Sequence, residues 1–318
     1  MVTLRKDVLI SAVSVGAVGL SMAFEPPGPQ QRLEAIGPTT GLSAVLQRAF
    51  AADDTFPPMP TPGPNDWLAA HREPGQTFEE FQRSRPNRPN AQRRTIYLQP
   101  LGAFPEQQNL EKLREYAAHF FQMEVKVLTP ISISAGGFTS RTNSLTRRQQ
   151  ILTGDVLEWL KGKLAGDAFC VLAITMEDLY PEPSWNFVFG QASLTERVGV
   201  YSFARYDPAF FGEARGKDYQ KLVLRRSMKV LTHETGHMFG LAHCIYFSCL
   251  MNGSNHLQES DRRPLHLCPV CMRKLQFSVG FDVVKRYQAL AQFDEQAGLD
   301  DEARWLLSRV EKTRGSGN

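Results

Sequence analysis

Residues 233–271 read HETGHMFGLAHCIYFSCLMNGSNHLQESDRRPLHLCPVC and hold five of the chain's seven histidines and four of its five cysteines. His233 and His237 are four residues apart, so on a helix they stand one above the other on a single face. Two imidazoles at that spacing can grip one tetrahedral zinc. Glu234, directly after the first histidine, completes H-E-x-x-H, in which the carboxylate is the general base toward a water on the metal. The stretch therefore predicts a helix over about 219–239 that carries hydrolytic zinc chemistry.

The signature runs on. Gly240 lies three residues after His237, and His243 three after that. A glycine there can take a left-handed conformation, end the helix and turn the chain sharply, bringing His243 back as a third ligand. Three histidines leave the fourth position to water, as a catalytic zinc requires. H-E-x-x-H-x-x-G-x-x-H is the metzincin signature, and Met251 is the candidate for the methionine turn beneath the metal.

Cys244 and Cys249 form C-x4-C, and Cys268 and Cys271 form C-x2-C. Four thiolates in two close pairs are the composition of a closed, structural zinc site. Two disulfides are the other reading, and export would favour them. If the cysteines hold zinc, the chain carries two Zn2+, one catalytic and one structural. Cys244 directly follows His243, so the structural metal would fix the neighbour of the third catalytic ligand.

The combination HExxHxxGxxHCxxxxCxM followed by CxxC resembles the archaemetzincin family of zinc metallopeptidases. The surroundings are similar as well: Phe169-Cys170-Val171, WNFVFGQASL at 185–194, SFARY at 202–206, GSNHLQESDRRPL at 253–265 and CPVCMRKLQ at 268–276 look like the animal members. The likeness covers roughly residues 42–293. It implies His233, His237 and His243 on a catalytic zinc, Glu234 as base, and Cys244, Cys249, Cys268 and Cys271 on a structural zinc.

The rest of the chain bounds this reading. Its 318 residues supply one or two domains with ample core. A net charge of +3 gives no case for nucleic acid or a membrane surface as partner. Arg5 and Lys6 precede an uncharged run over 8–24, shorter than the ~20 residues of a spanning helix. With Ser21-Met22-Ala23 as a passable cleavage site, residues 1–24 read as a signal segment or as an apolar N-terminal helix. Localisation follows that choice, exported or cytoplasmic. Residues 25–94 form a Pro/Gly/Arg-rich extension with short helices near 42–50 and 78–81. Its basic run of Arg83, Arg85, Arg88, Arg93 and Arg94 reads as a solvated linker.

Residues 95–293 read as a metzincin-like α/β (α+β) catalytic domain. Strands are expected at 96–100, 125–133, 168–175, 187–189 and 198–203, with helices at 110–122 and 151–164. The apolar run AFCVLAIT at 168–175 has the look of a strand buried on both faces. This order gives a mixed five-stranded sheet with backing and active-site helices, and a zinc-stabilised C-terminal subdomain. Amphipathic helices at about 281–293 and 300–312 follow, the latter within a C-terminal helix and tail at 294–318.

Other residues compete for roles. Asp178 is a possible second carboxylate near the cleft, though a turn or cap aspartate is the simpler reading. Lys221, Arg225, Arg226 and Lys229 read as the solvated face of the active-site helix. His256 and His266 lack partner spacing and stay outside the ligand set. Cys170 reads as a core thiol. Asn252-Gly253-Ser254 matches a glycosylation acceptor, but Met251 beside it should be buried. The expected function is a zinc metallopeptidase acting on a peptide or protein substrate. The alternative is a zinc-stabilised interaction module with a vestigial peptidase site, against which the intact Glu234 argues. Oligomeric state is not legible.

Overall fold

The computed structural model describes residues 8–13, of which only the backbone course is given, together with 24–104 and 110–315. After β1 (Val8–Val13) the extension carries four short helices: α1 (Pro29–Ile36), α2 (Ala44–Ala49), α3 (Trp67–Ala70) and α4 (Phe78–Arg83). The α/β unit runs β2 (Thr95–Leu101), α5 (Leu110–Phe121), β3 (Glu124–Val127), α6 (Ile133–Gly136), β4 (Ser140–Thr142) and β5 (Gln149–Leu152). It continues through α7 (Thr153–Lys161), β6 (Ala168–Thr175), β7 (Asp178–Tyr180), β8 (Phe187–Ser193) and β9 (Val198–Ser202). Five helices complete the described chain: α8 (Tyr219–Met238), α9 (Leu257–Arg262), α10 (Pro269–Val279), α11 (Val283–Gln296) and α12 (Asp300–Arg314).

The strands form one mixed sheet in the order β3-β2-β6-β9-β8-β7-β5-β4, with β1 also on β8. β6 is buried throughout and pairs in parallel with β2 and β9, as its continuous apolar sequence requires. β8 returns antiparallel beside β9, and β1 runs antiparallel along β8 with Ser11 opposite Gly190. All five expected strands are present, but the sheet is larger than expected. β4, β5 and β7 are three or four residues long and read SRT, QQIL and DLY, too short and too polar for their alternation to register. β5 also shortens the expected helix at 151–164, which starts at Thr153. β3 ends at Val127 rather than at 133. At the N-terminus, the part of the apolar run that is described is a strand rather than a helix; Ser21-Met22-Ala23 lies outside the described residues.

One apolar core runs from Ile36 and Phe50 of the extension, through the sheet, to Leu306 and Val310 of α12. The C-terminal end of α8 is anchored in it. The Phe239 ring is stacked 4.2 Å from Phe169 of β6 and 5.3 Å from Phe121 of α5. The extension is tied to this core by cations. Buried Arg309 of α12 reaches Asp53 at 2.6 Å, and the Arg273 guanidinium of α10 lies 3.9 Å over the Phe78 ring. Arg88 of the basic run donates to the Phe277 carbonyl at 2.8 Å and covers its ring at 4.4 Å. The Asn87 side chain donates to the Met238 carbonyl at 3.1 Å. All five arginines of the run are nonetheless exposed, in keeping with a solvated face that is tethered to the domain at Asn87 and Arg88. Among the described residues no helix is long and apolar enough to cross a membrane.

Candidate active site and second metal centre

The helix α8 stops where its sequence lets it stop. Gly240 has φ of +86°, a conformation that residues with a Cβ adopt only under strain. Its N–H donates to the His237 carbonyl at 2.7 Å, and the Leu241 N–H reaches back to the Gly236 carbonyl at 3.2 Å. This reversal carries the loop back over the helix and sets the His243 ring 5.0 Å from the His237 ring and 5.3 Å from the His233 ring. One ring nitrogen from each histidine falls within a cluster no wider than 4.8 Å.

The hydrogen bonds fix which nitrogens these are. His233 Nδ1 lies 2.9 Å from the Leu250 carbonyl, and His237 Nδ1 lies 2.6 Å from the Leu241 carbonyl. A carbonyl only accepts, so both Nδ1 atoms carry the proton. The two Nε2 atoms then direct lone pairs toward the same point, 3.0 Å from each other. Burial, followed by the fields of His237, Arg263 and His243, holds His233 well below the usual histidine range. Burial and then His243 do the same to His237. Two neutral rings with facing lone pairs call for a cation. His243 Nε2 is likewise buried, with no hydrogen-bond partner among the described residues. The donor set is that of a three-histidine zinc.

Glu234 lies on α8 beside these histidines and is fully buried. Gly190 of β8 faces it so closely that a Cβ on Gly190 would sit 2.8 Å from the Glu234 carboxylate oxygen Oε1. Met251 is fully buried under the same helix, its sulfur 2.8 Å from where a Cβ on Gly236 would be. The third histidine is held differently from the other two: its Nδ1 donates to the carboxylate of Glu73 at 2.7 Å. Burial pushes that carboxyl up, but attraction and hydrogen bonding to His243 outweigh it and leave Glu73 below the usual glutamate range.

The four cysteines Cys244, Cys249, Cys268 and Cys271 form a second buried cluster, with sulfurs within 4.8 Å of one another. All are free, and Cys244 and Cys268 sulfurs are 3.6 Å apart. That is far from a disulfide bond, about 2.05 Å, and close to the ~3.8 Å edge of a zinc tetrahedron with Zn–S of about 2.3 Å. The disulfide reading therefore has no support in the geometry. The N–H groups of Met251 and Cys268 point at the Cys249 sulfur at 3.4 and 3.3 Å. Asn252 braces the loop: its amide donates to the carbonyls of Cys244 and Phe247 at 2.7 and 3.0 Å. Buried in this role, it is no surface glycosylation acceptor.

The remaining candidates fall outside both clusters. Asp178 is buried in a two-pronged ion pair with Arg205, at 2.8 and 2.7 Å, which secures β7 and explains the residue without catalysis. Of the four cations read as the solvated face of α8, only Lys221 is exposed. Arg225 pairs with Asp301 and Glu302 of α12, and Arg226 with Asp261. Lys229 is buried, and its ammonium donates to the carbonyls of Ser260 and Arg263 at 2.7 and 2.6 Å at the end of α9. A cation belongs at a helix C-terminus, and the packing of α9 and α12 on α8 was not readable from charge pattern. His256 accepts from the Glu259 N–H as the cap of α9, His266 stacks on Trp305 at 3.4 Å, and Cys170 is fully buried in β6. Asp66, His256 and Glu259 also converge, but Glu259 is taken up by the N–H groups of Trp67 and Asn255 and Asp66 by Arg262.

Two site residues escaped the sequence. Gly190 carried a weak signal, a glycine inside a strand, which marks close approach of another group. Glu73 carried none.

The chain is similar to known proteins of one family. The profile of peptidase family M54 matches residues 137–277. Archaemetzincin-2 of Homo sapiens is 44% identical over 294 residues, 83% of this chain and 80% of that protein. Archaemetzincin-2 of Macaca fascicularis is 44% identical over 291 residues, 81% of each. Among solved structures, an archaemetzincin from Methanopyrus kandleri is 32% identical, covering 61% of this chain and 99% of that one, with a TM-score of 0.47.

Proposed function

This chain belongs to the archaemetzincin family of zinc metallopeptidases, and from that premise we propose that His233, His237 and His243 hold the catalytic zinc, that Glu234 is the base, and that Cys244, Cys249, Cys268 and Cys271 hold a second, structural zinc. The enzyme hydrolyses peptide bonds in a peptide or protein substrate. The observation that carries the assignment is the convergence of the three imidazoles beside Glu234, with Nδ1 protons on His233 and His237 already committed to carbonyls.

A zinc held by His233, His237 and His243 would supply Lewis acidity there, toward the scissile carbonyl and the attacking water. Glu234 takes the proton from the attacking water and later delivers it to the leaving amine, a carboxylate cycling between base and acid. Gly190, having no Cβ, leaves free on the β8 side the space that the Glu234 carboxylate occupies. The rings are fixed by the Leu250 and Leu241 carbonyls, so little reorganisation is needed at the metal. The four-cysteine cluster supports this arrangement from the loop that carries His243. Metal analysis of the purified chain should return two zincs, and a peptide library incubated with it and read by mass spectrometry should show new termini. A chain with both zincs and no cleavage would leave the metal sites standing and remove the peptidase role.

A further inference from the structure

The Nδ1 atoms of His233 and His237 are held by main-chain carbonyls from their own segment, at Leu250 and Leu241. That of His243 is held by a carboxylate from 170 residues earlier in the chain. We propose that Glu73, in the N-terminal extension, is a positioning residue of the catalytic zinc site. It accepts the His243 Nδ1–H, fixes the tautomer that presents Nε2 to the metal, and strengthens that ring as a donor. The inference rests on the three-histidine zinc reading above.

The surrounding contacts make Glu73 part of a built wall rather than a chance neighbour. His243 is almost fully buried and Glu73 mostly so. Trp67 of α3 closes the site from another side, its ring edge-on to His243 at 5.3 Å. Past Glu73 the chain hugs the loop that carries His243. Gly75 has φ of +72°, and a Cβ on it would lie 2.7 Å from the Ile245 side chain, so only glycine lets the two strands of chain come so near. The Gln76 side chain then donates to the Gly240 carbonyl and accepts from the Ala242 N–H, both at 3.2 Å. Lys274 of α10 donates to the Gln76 side-chain oxygen at 3.1 Å. Residues 73–76 are thus clamped to both ends of the 240–245 turn. A carboxylate placed behind a ligating imidazole is a recurrent device for orienting and tuning a metal ligand. A buried carboxylate is also costly unless positive charge lies near it, and a dication on the far nitrogen of the same ring supplies that charge.

The test uses the full chain as parent, Glu73→Gln and Glu73→Ala. Zinc affinity of the histidine site is read by competition with a chromophoric chelator, and its geometry by the visible bands of Co2+ bound in place of zinc. Glu73→Gln keeps size and a hydrogen-bond acceptor but not the charge. We expect the histidine-site metal to weaken about 10-fold in Glu73→Gln and about 100-fold in Glu73→Ala, with shifted cobalt bands and the four-cysteine metal retained in both. If Glu73→Ala loses the cysteine metal as well, its fold is broken and Glu73→Gln decides alone. Parental affinity and an unchanged cobalt spectrum in Glu73→Gln and Glu73→Ala would overturn the proposal. If the parent itself binds no metal at the histidines, the zinc reading fails first and the role of Glu73 falls with it.

Discussion

The backbone N–H of Cys244 donates to the carbonyl of Met251 at 2.8 Å. Cys244 is the neighbour of the third histidine, and Met251 is the residue packed under the active-site helix. This hydrogen bond, with that from the Met251 N–H to the Cys249 sulfur, joins the loop of the thiol cluster to the floor of the histidine cluster. Disturbing the cysteines should be felt at the histidines.

Cys271→Ser tests that coupling. It would remove one donor from the proposed four-thiolate zinc site, and a metal in such a closed site contributes directly to folding. The variant should contain one zinc fewer, melt at lower temperature and lose peptidase activity. Zinc analysis, melting and peptide cleavage on one preparation check it. A variant with two zincs and parental stability would show that the thiol cluster does not support the fold in this way.

Chelation should separate the two metals. A three-histidine zinc keeps an open coordination position through which a chelator can attack, whereas four thiolates enclose theirs. Under a mild chelator the first zinc should leave together with activity, and the second only later. Activity that outlasts the first zinc would reverse the assignment of the two centres.

Gly190→Ala probes the seat of the base. The added Cβ would lie 2.8 Å from Glu234 Oε1, so the carboxylate must move. A displacement of about 1 Å in a catalytic group costs on the order of 100-fold. Turnover should fall by about that factor with both zincs retained. Full turnover would mean that β8 does not set the position of Glu234.

Asp294 of α11 supplies a pH dependence remote from the metals. Burial first, and then repulsion from Glu302, pushes its carboxyl up to about 8. Neither carboxylate oxygen has a hydrogen-bond partner among the described residues. In the unfolded chain an aspartate titrates near 3.9. Between those values the native state holds a proton that the unfolded state has released, so stability declines as pH rises from about 4 through about 8. Asp294→Asn is neutral throughout, and its melting temperature should gain on the parent increasingly between about pH 5 and pH 8. A constant difference across that range would place the carboxyl in a better solvated setting.

Much of the site was legible because its chemistry is local in sequence. His233, Glu234 and His237 share one helix, Gly240 turns the chain and His243 follows, so spacing alone predicts convergence. The cysteine pairs were legible for the same reason. β6 announced itself by eight apolar or small residues in a row, whereas β4, β5 and β7 are too short to show a period. What spacing does not show is contact across distance in the chain. Glu73 reaches His243 over 170 residues, and Lys229, polar on a helix that looked solvated, is buried because α9 ends against it.

We assign to Glu234 the proton transfers of peptide hydrolysis beside a zinc held by His233, His237 and His243. Glu234→Gln keeps size and shape and removes only the base. Measured against the parent on one peptide substrate, with zinc content and melting temperature determined on the same samples, it should retain both zincs and its fold while turnover falls by ~100 to 10,000-fold. Parental turnover in a fully zinc-loaded Glu234→Gln chain would show that Glu234 is not the base.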